Sequence, residues 1–250
     1  MAKQKRFLIG VGEIITILVI LAILAMLIIP ETKQFVNGGH RERFRNQLKL
    51  VGLACHEYQA EYGCLPPVVI SDERGRSIHS WRAMLLPWLE SQGRTQPPAY
   101  VYTFNEPWFS PANRQAALDN ANLFTMLVST DDREVIQKSK LAAVIGAQTY
   151  WSPSGECRRL PLEANQDERH ILLLEIPNLY GAWSQPNDVT LDEVLTLSKN
   201  QQFEPDGAHV LFDDGSVTWF APEALTEATL RRLLCPFDAV EAEPAVETSP

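Results

Sequence analysis

Only four cysteines occur in the 250 residues, Cys55, Cys64, Cys157 and Cys235, and no two form a Cys-x-x-Cys pair. That counts against a thiolate zinc site and against a thioredoxin-like redox motif. The five histidines (His40, His56, His79, His170, His209) are dispersed, with no His-Glu-x-x-His or His-x-His spacing to seat a catalytic metal. No Gly-x-Ser-x-Gly, Walker-type or Gly-x-Gly-x-x-Gly stretch occurs, so a nucleophile elbow and a phosphate-cradling loop are both missing. Base is scarce too: 22 Lys and Arg stand against 31 Asp and Glu, a net charge of -9. Nucleic-acid surfaces need clustered Lys and Arg, and the six Trp are scattered rather than gathered into a stacking platform. No nucleic acid and no cofactor is expected.

What the chain does have is a long apolar run. From Ile14 to Ile29 only Thr16 is polar, and Phe7 to Val11 extend the run backwards. As a helix, Phe7 to Ile29 would reach about 35 Å, against a bilayer core of about 30 Å. A cleaved signal has an apolar region of about 7–15 residues and a small-x-small site; this run is longer, and "AMLIIPETK" has no Ala-x-Ala. The expectation is a permanent anchor that meets membrane lipid through Phe7 to Ile29. Lys3, Lys5 and Arg6 precede it and should stay cytoplasmic. That makes a single-pass inner-membrane protein whose body is periplasmic. There the four cysteines could make two disulfides in any of three connectivities, buried thiols being the alternative. Glu13, inside the run, is either a headgroup-level acid or a glutamate of the pilin stem type.

The remaining chain reads as follows. Pro30 should end or kink the first helix, and "VNGGH" (Val36 to His40) should break it. An amphipathic helix then places Phe44, Leu48, Val51, Cys55, Tyr58 and Tyr62 on one stripe, with Gly63 as its cap and Pro66-Pro67 as its stop. "SIHSWRAMLLPWLES" reads as a short helix with Trp81, Leu85, Leu86 and Trp88 inward. Asn113 to Ser129 reads as another, with Leu118, Leu123 and Leu127 periodic. "RHILLLEIP" has the length of a buried strand. "AHVLFDDGSVTWFA" reads as a hairpin with a type I′ turn at Asp214-Gly215 and Val210, Phe212, Val217 and Trp219 as one buried set. "PEALTEATLRRLL" reads as a closing helix. The expected organisation is 1–6 cytoplasmic, 7–30 transmembrane, 31–63 stem and amphipathic helix, 64–236 an α+β domain, and 237–250 an acidic, disordered tail.

Two constellations invite chemistry. His209 near Asp213, Asp214 and Ser216 suggests a hydrolytic triad, yet Asp-Gly-Ser is explained by turn chemistry alone. Glu204, Asp206, Asp213 and Asp214 could offer oxygens to a cation, but without EF-hand spacing. Neither a catalytic nor a metal site is expected.

Five segments in order resemble one family: "RNQLKLVGLACHEYQAEYGCLPP", "SWRAMLLPWLES", "FNEPWFSPAN", "LLEIPNLYGAWSQPNDV" and "FEPDGAHVLFDDGSV". They are similar to the prepilin-like proteins of planctomycete bacteria called domain of unknown function 1559, with a His-x9-Asp-Gly signature near the C-terminus. Here Glu204 stands at the signature histidine, Asp206 at a glycine and His209 at an asparagine. The prepilin cleavage motif is degenerate: with Glu13 fifth, the cut would follow Leu8, and a cut after Gly10 would make Glu13 third. The resemblance implies a pilin-like α+β fold, a long N-terminal helix (transmembrane, then amphipathic) packed on an antiparallel sheet. It also implies a non-enzymatic structural or assembly role, with pilin-like proteins, secretion machinery or further copies as partners. The rivals are a membrane-anchored module binding envelope polysaccharide or peptide, and a hydrolase at His209 and Asp213.

Overall fold

The computed structural model describes residues 11–91, 101–119, 124, 141–161, 168–177, 179, 182–203 and 207–237. The expectations for Lys3, Lys5, Arg6, Glu204, Asp206, Leu123, Leu127 and the tail beyond Phe237 lie outside those residues, as does the side chain of Glu13.

The first element is one continuous helix, α1, Val11–Tyr62. The expected break at Pro30 and Gly38-Gly39 is therefore corrected. A proline in a helix costs roughly 3 kcal/mol and a glycine about 1, but these penalties are local. Each further residue adds a hydrogen bond without a new nucleation cost, so the helix propagates past them. Among the described residues no helix is long and apolar enough to cross a membrane; many side chains of the Phe7–Ile29 run are not among those described.

The chain divides into two compact units at Arg43/Phe44. In the second unit, the expected stripe is buried from Phe44 through Leu48, Val51 and Cys55 to Tyr58. Tyr62 departs from it: the ring is 58 % exposed and lies against Tyr58 and Trp88 at 4.6 and 6.0 Å. The helix ends one residue later, where Gly63 donates to the Gln59 carbonyl at 2.7 Å, so no sheet remains beneath Tyr62.

A four-stranded antiparallel sheet runs in the order β3 (Leu141–Ala142), β5 (Ile171–Glu175), β7 (Ala208–Phe212), β8 (Val217–Phe220). Two smaller pairs flank it: β1 (Val69–Ser71) with β2 (Ser77–Ser80), antiparallel, and β4 (Val144–Ile145) with β6 (Val189–Thr190), parallel. One apolar cluster joins the α1 stripe to Leu173 and Leu211; a second joins Leu174, Val210 and Phe212 to α5 (Leu191–Lys199) and α6 (Glu227–Leu234). The sheet is thus covered on both faces. This is why β5 and β7 are buried at every position, since a strand with no solvent face reads as a continuous run.

Gly52 sets how closely α1 approaches that sheet. A Cβ there would come within 2.9 Å of the Leu211 Cδ1 and 3.5 Å of the Gly215 Cα.

Several local expectations change. Ser77–Ser80 is a strand rather than helix, recruited by pairing with Val69–Ser71. The helix follows as α2 (Trp81–Met84) and α3 (Leu86–Ser91), with Trp81, Leu85 and Leu86 buried and Trp88 half-buried. The next helix, α4, spans Pro111–Asp119 and buries Asn113, Ala116 and Ala117 while Leu118 is 51 % exposed. Small residues bring its backbone close to the core, and the Trp183 indole caps the Ala117 carbonyl at 2.7 Å.

The hairpin turn is a three-residue loop. Gly215 donates to Phe212 O at 3.0 Å, Phe212 N donates to Ser216 O at 2.9 Å, and only Gly215 has positive φ, +77°. That is a type I turn followed by a left-handed glycine, not type I′. The register moves by one residue, so Leu211 faces Val217 and His209 faces Trp219. Val217 consequently joins the α1 side while Val210 and Phe212 lie on the other, and Trp219 is 38 % exposed.

Leu48, 1 % exposed at the α1–sheet contact, should cost about 2–4 kcal/mol as Leu48→Ala. Leu53→Ala, at a position 45 % exposed on the same helix, should stay within about 0.5 kcal/mol. Denaturant unfolding compares the two.

Candidate functional site

Three of the buried polar assemblies among the described residues bear on function. The first is an ion pair. Arg82 on α2 and the Asp188 carboxylate, just ahead of β6, are both almost wholly buried, at 1 % and 2 % side-chain exposure. The guanidinium donates through Nη2 to Oδ1 at 2.8 Å and through Nη1 to Oδ2 at 3.2 Å. Oδ1 also accepts from the Trp81 indole at 3.0 Å and from Ala143 N at 2.9 Å, while Arg82 Nη2 donates to Leu141 O at 2.6 Å. A planar fork on a carboxylate with its lone pairs filled is what makes a buried pair tolerable. Among the described residues Arg82 Nε is buried without a hydrogen-bond partner, and the pair holds elements together.

The second assembly is at the end of β7. Asp213 Oδ2 accepts from the Tyr150 hydroxyl at 2.7 Å and lies 3.8 Å from His170 Nδ1. Burial, then the bond to Asp213, pushes the Tyr150 phenol well above its ordinary range, so it remains a protonated donor at neutral pH. These side chains line a cleft of about 540 Å³ that also has Arg159, Arg169, Arg232 and Phe237 on its walls. Glu168 and Asp213 lie on the same lining, so the three guanidiniums leave an excess of one positive charge at the cleft of a chain whose net charge is -9.

The third is the His209–Glu175 pair between β7 and β5. Glu175 Oε2 accepts from His209 N at 3.0 Å and meets Nδ1 at 2.7 Å, and the imidazole edge packs on the Phe44 ring at 5.3 Å.

The proposed triad is therefore split. His209 turns to Glu175 and Asp213 to Tyr150; they are four residues apart on one strand, roughly 13 Å. Ser216 Oγ accepts from Arg169 at 3.3 Å, not from His209. Asp214 holds the turn, accepting from Ser216 N at 2.8 Å. Among the described residues no three His, Cys, Asp or Glu side chains are grouped to hold a metal ion.

A family model for a protein of unknown function (DUF1559) matches residues 43–172. The chain belongs to the DUF1559 family. No curated protein and no solved structure matches it. The DUF1559 match starts one residue ahead of the second unit and ends in β5, so it covers Arg82 and Tyr150 but not Asp188, His209 or the hairpin.

Sequence reasoning missed Arg82, Asp188, Glu175 and Tyr150. One signal was available for Arg82: a lone cation between Trp81 and the inward Leu85-Leu86 needs a buried acid. Asp188, in "QPNDV", carried no local mark.

The ion pair makes an energetic test. Asp188→Asn strands a buried guanidinium and should cost about 3–5 kcal/mol. Arg82→Met with Asp188→Leu should lose far less than the two single changes summed, measured by a double-mutant cycle in denaturant.

His79 gives a pH test. Its Nε2 faces the Phe104 carbonyl at 3.1 Å and must carry the proton, so Nδ1 accepts from Tyr102 OH at 2.9 Å. Burial lowers its pKa below the ordinary 6.5. Below that ordinary value the unfolded chain binds more protons than the folded one, so the contribution is full above it and shrinks as the pH falls. The unfolding midpoint should decline from about pH 7.5 to about pH 5, and His79→Gln should flatten that decline.

Proposed function

We propose that the protein is a membrane-anchored, pilin-like scaffold of the bacterial envelope, with its globular unit outside the cytoplasmic membrane and no enzymatic role. The observation that carries this reading is the surface of α1. Ile14, Ile17, Leu18, Val19, Ile20, Leu21 and Ile23 are each about half exposed. Consecutive residues 17–21 point to every side of a helix, and a helix apolar all round belongs in lipid or in a bundle of like helices. The single polar side chain described there, Thr16, is satisfied within the helix by Gly12 O at 2.9 Å. The other end of the same helix lies on an antiparallel sheet, as a pilin stem does.

The aromatic distribution supports a scaffold. Trp81, Trp151 and Trp183 are each at most 2 % exposed and bound to internal acceptors. One observation favours a second reading, a membrane-anchored binding module: the cleft sets Arg159, Arg169 and Arg232 against two acids, Glu168 and Asp213, beside Tyr150 and Phe237, and its one surplus cation would suit an acidic polysaccharide or peptide.

A reporter active only in the periplasm, fused after Phe237, should be active, and the fusion should resist carbonate extraction from membranes. A full-length but inactive fusion overturns the placement. Cross-linking in native membranes to envelope proteins supports the scaffold. Retention on an acidic polysaccharide that is lost in Arg232→Gln supports the module instead.

A further inference from the structure

The C-terminal end of α1 is tied to a strap of chain, residues 156–161, by a run of pairwise contacts. Gln59, 8 % exposed, donates through Nε2 to Leu160 O at 3.1 Å and accepts at Oε1 from Leu160 N at 2.6 Å. Leu65 N donates to Arg158 O at 2.8 Å. These bonds fix the register of the two segments on both sides of position 64 and immediately after position 157. In that register the Cys64 and Cys157 side chains are neighbours, and the nearby Cys157 thiol, with burial, raises the pKa of Cys64. Both are reduced, Cys157 is exposed and Cys64 partly so, whereas Cys55 and Cys235 are buried. Burial pushes the Cys55 thiol up to about 12, which leaves it inert to oxidants at neutral pH. Of the three possible connectivities, the fold brings one pair together.

We propose that Cys64 and Cys157 are a disulfide-forming pair that staples the end of α1 to the strap. The reaction needs an oxidant of the disulfide class. One thiolate attacks a sulfur of that oxidant, a thiolate leaves, and the second cysteine attacks the mixed disulfide and releases the second leaving thiolate. Two thiols lose two protons and two electrons, and one oxidant disulfide becomes two thiols. The staple would close the long loop between positions 64 and 157, where constraint of the unfolded chain is greatest. It would make the α1–domain junction covalent, which suits a stem that transmits load. That the bond forms in the cell rests on the extracytoplasmic placement proposed above; that the pair can form it does not.

The test has two arms. Full-length protein purified in detergent, reduced and then exposed to oxidised glutathione, should give a Cys64–Cys157 linked peptide as the dominant cross-link. Cys55 and Cys235 should alkylate only after denaturation. Oxidation should raise Tm by about 10 °C, and Cys157→Ser should abolish both the link and the rise. Absence of the linked peptide, or dominance of another pairing, overturns the proposal. In the second arm, cells are acid-quenched and alkylated before lysis. A link in both arms supports the pair and its compartment. A link with glutathione but free thiols in cells supports the pair and overturns the extracytoplasmic placement.

Discussion

A buried guanidinium must be paired, and the position of Asp188 is fixed by that need. Arg82 has no route to water, so its partner carboxylate has to reach it through the interior from more than a hundred residues away in sequence. Meeting that demand draws α2, β3 and the turn ahead of β6 to one point, since Trp81, Leu141 and Ala143 all bond to the same two side chains. β3 is only two residues long and would not hold its edge of the sheet by ladder bonds alone. A hydrophobic pair of like volume would pack as well, but it would not specify which backbone groups meet. The ion pair therefore does more for register than for stability.

From that point the sheet can be covered on both sides. β5 and β7 form its centre and carry apolar side chains on alternate faces, so one face receives α1 and the other α5 and α6. Gly52 lets the helix backbone come down onto Leu211. The one cleft described above lies at a strand end, where loops converge and side chains have space to act.

The sequence was legible where one periodicity decided the outcome. The α1 stripe from Phe44 to Tyr58, the buried run of β5 and the hairpin arms all followed from spacing. It was illegible where a contact between distant residues outweighed a local preference. "SIHS" is neutral between helix and strand, and pairing with Val69–Ser71 chose strand. Asp213-Asp214-Gly215 allows a two- or a three-residue loop, and Tyr150 and His170, both gripping Asp213 from outside the hairpin, favour the longer one. That single residue of slip moved Val217 and Trp219 across the sheet. For α5 the fault lay in the reading, because Thr190 and Glu193 form a capping box that the letters T-L-D-E spell out. Of the candidate site, only Asp213 was named in advance; His170, Tyr150 and the arginines share no local pattern and are gathered by topology.

The segments through which the chain resembles its family turn out to be occupied with folding. Within the matched residues "KLVGLAC" supplies Gly52 and the α1 stripe and "SWRAMLLPW" supplies Arg82, whose partner Asp188 lies beyond the match. In "FNEPWFSPAN" the Asn113 amide, wholly buried, accepts from Thr103 N and donates to the carbonyls of Thr103, Glu106 and Pro107, at 2.7 to 3.1 Å. Both amide hydrogens are engaged inside the protein and the oxygen holds the Thr103 N–H, so this side chain ties the loop together. These segments therefore define a frame, and whatever distinguishes this protein's partners must lie on groups the frame leaves exposed. Those are the apolar surface at the start of α1, the arginines around the Tyr150 cleft, and the aromatic loop of Phe104 and Phe109. The proposed scaffold role would use this division, because a fold can stay fixed while the groups exposed on it vary.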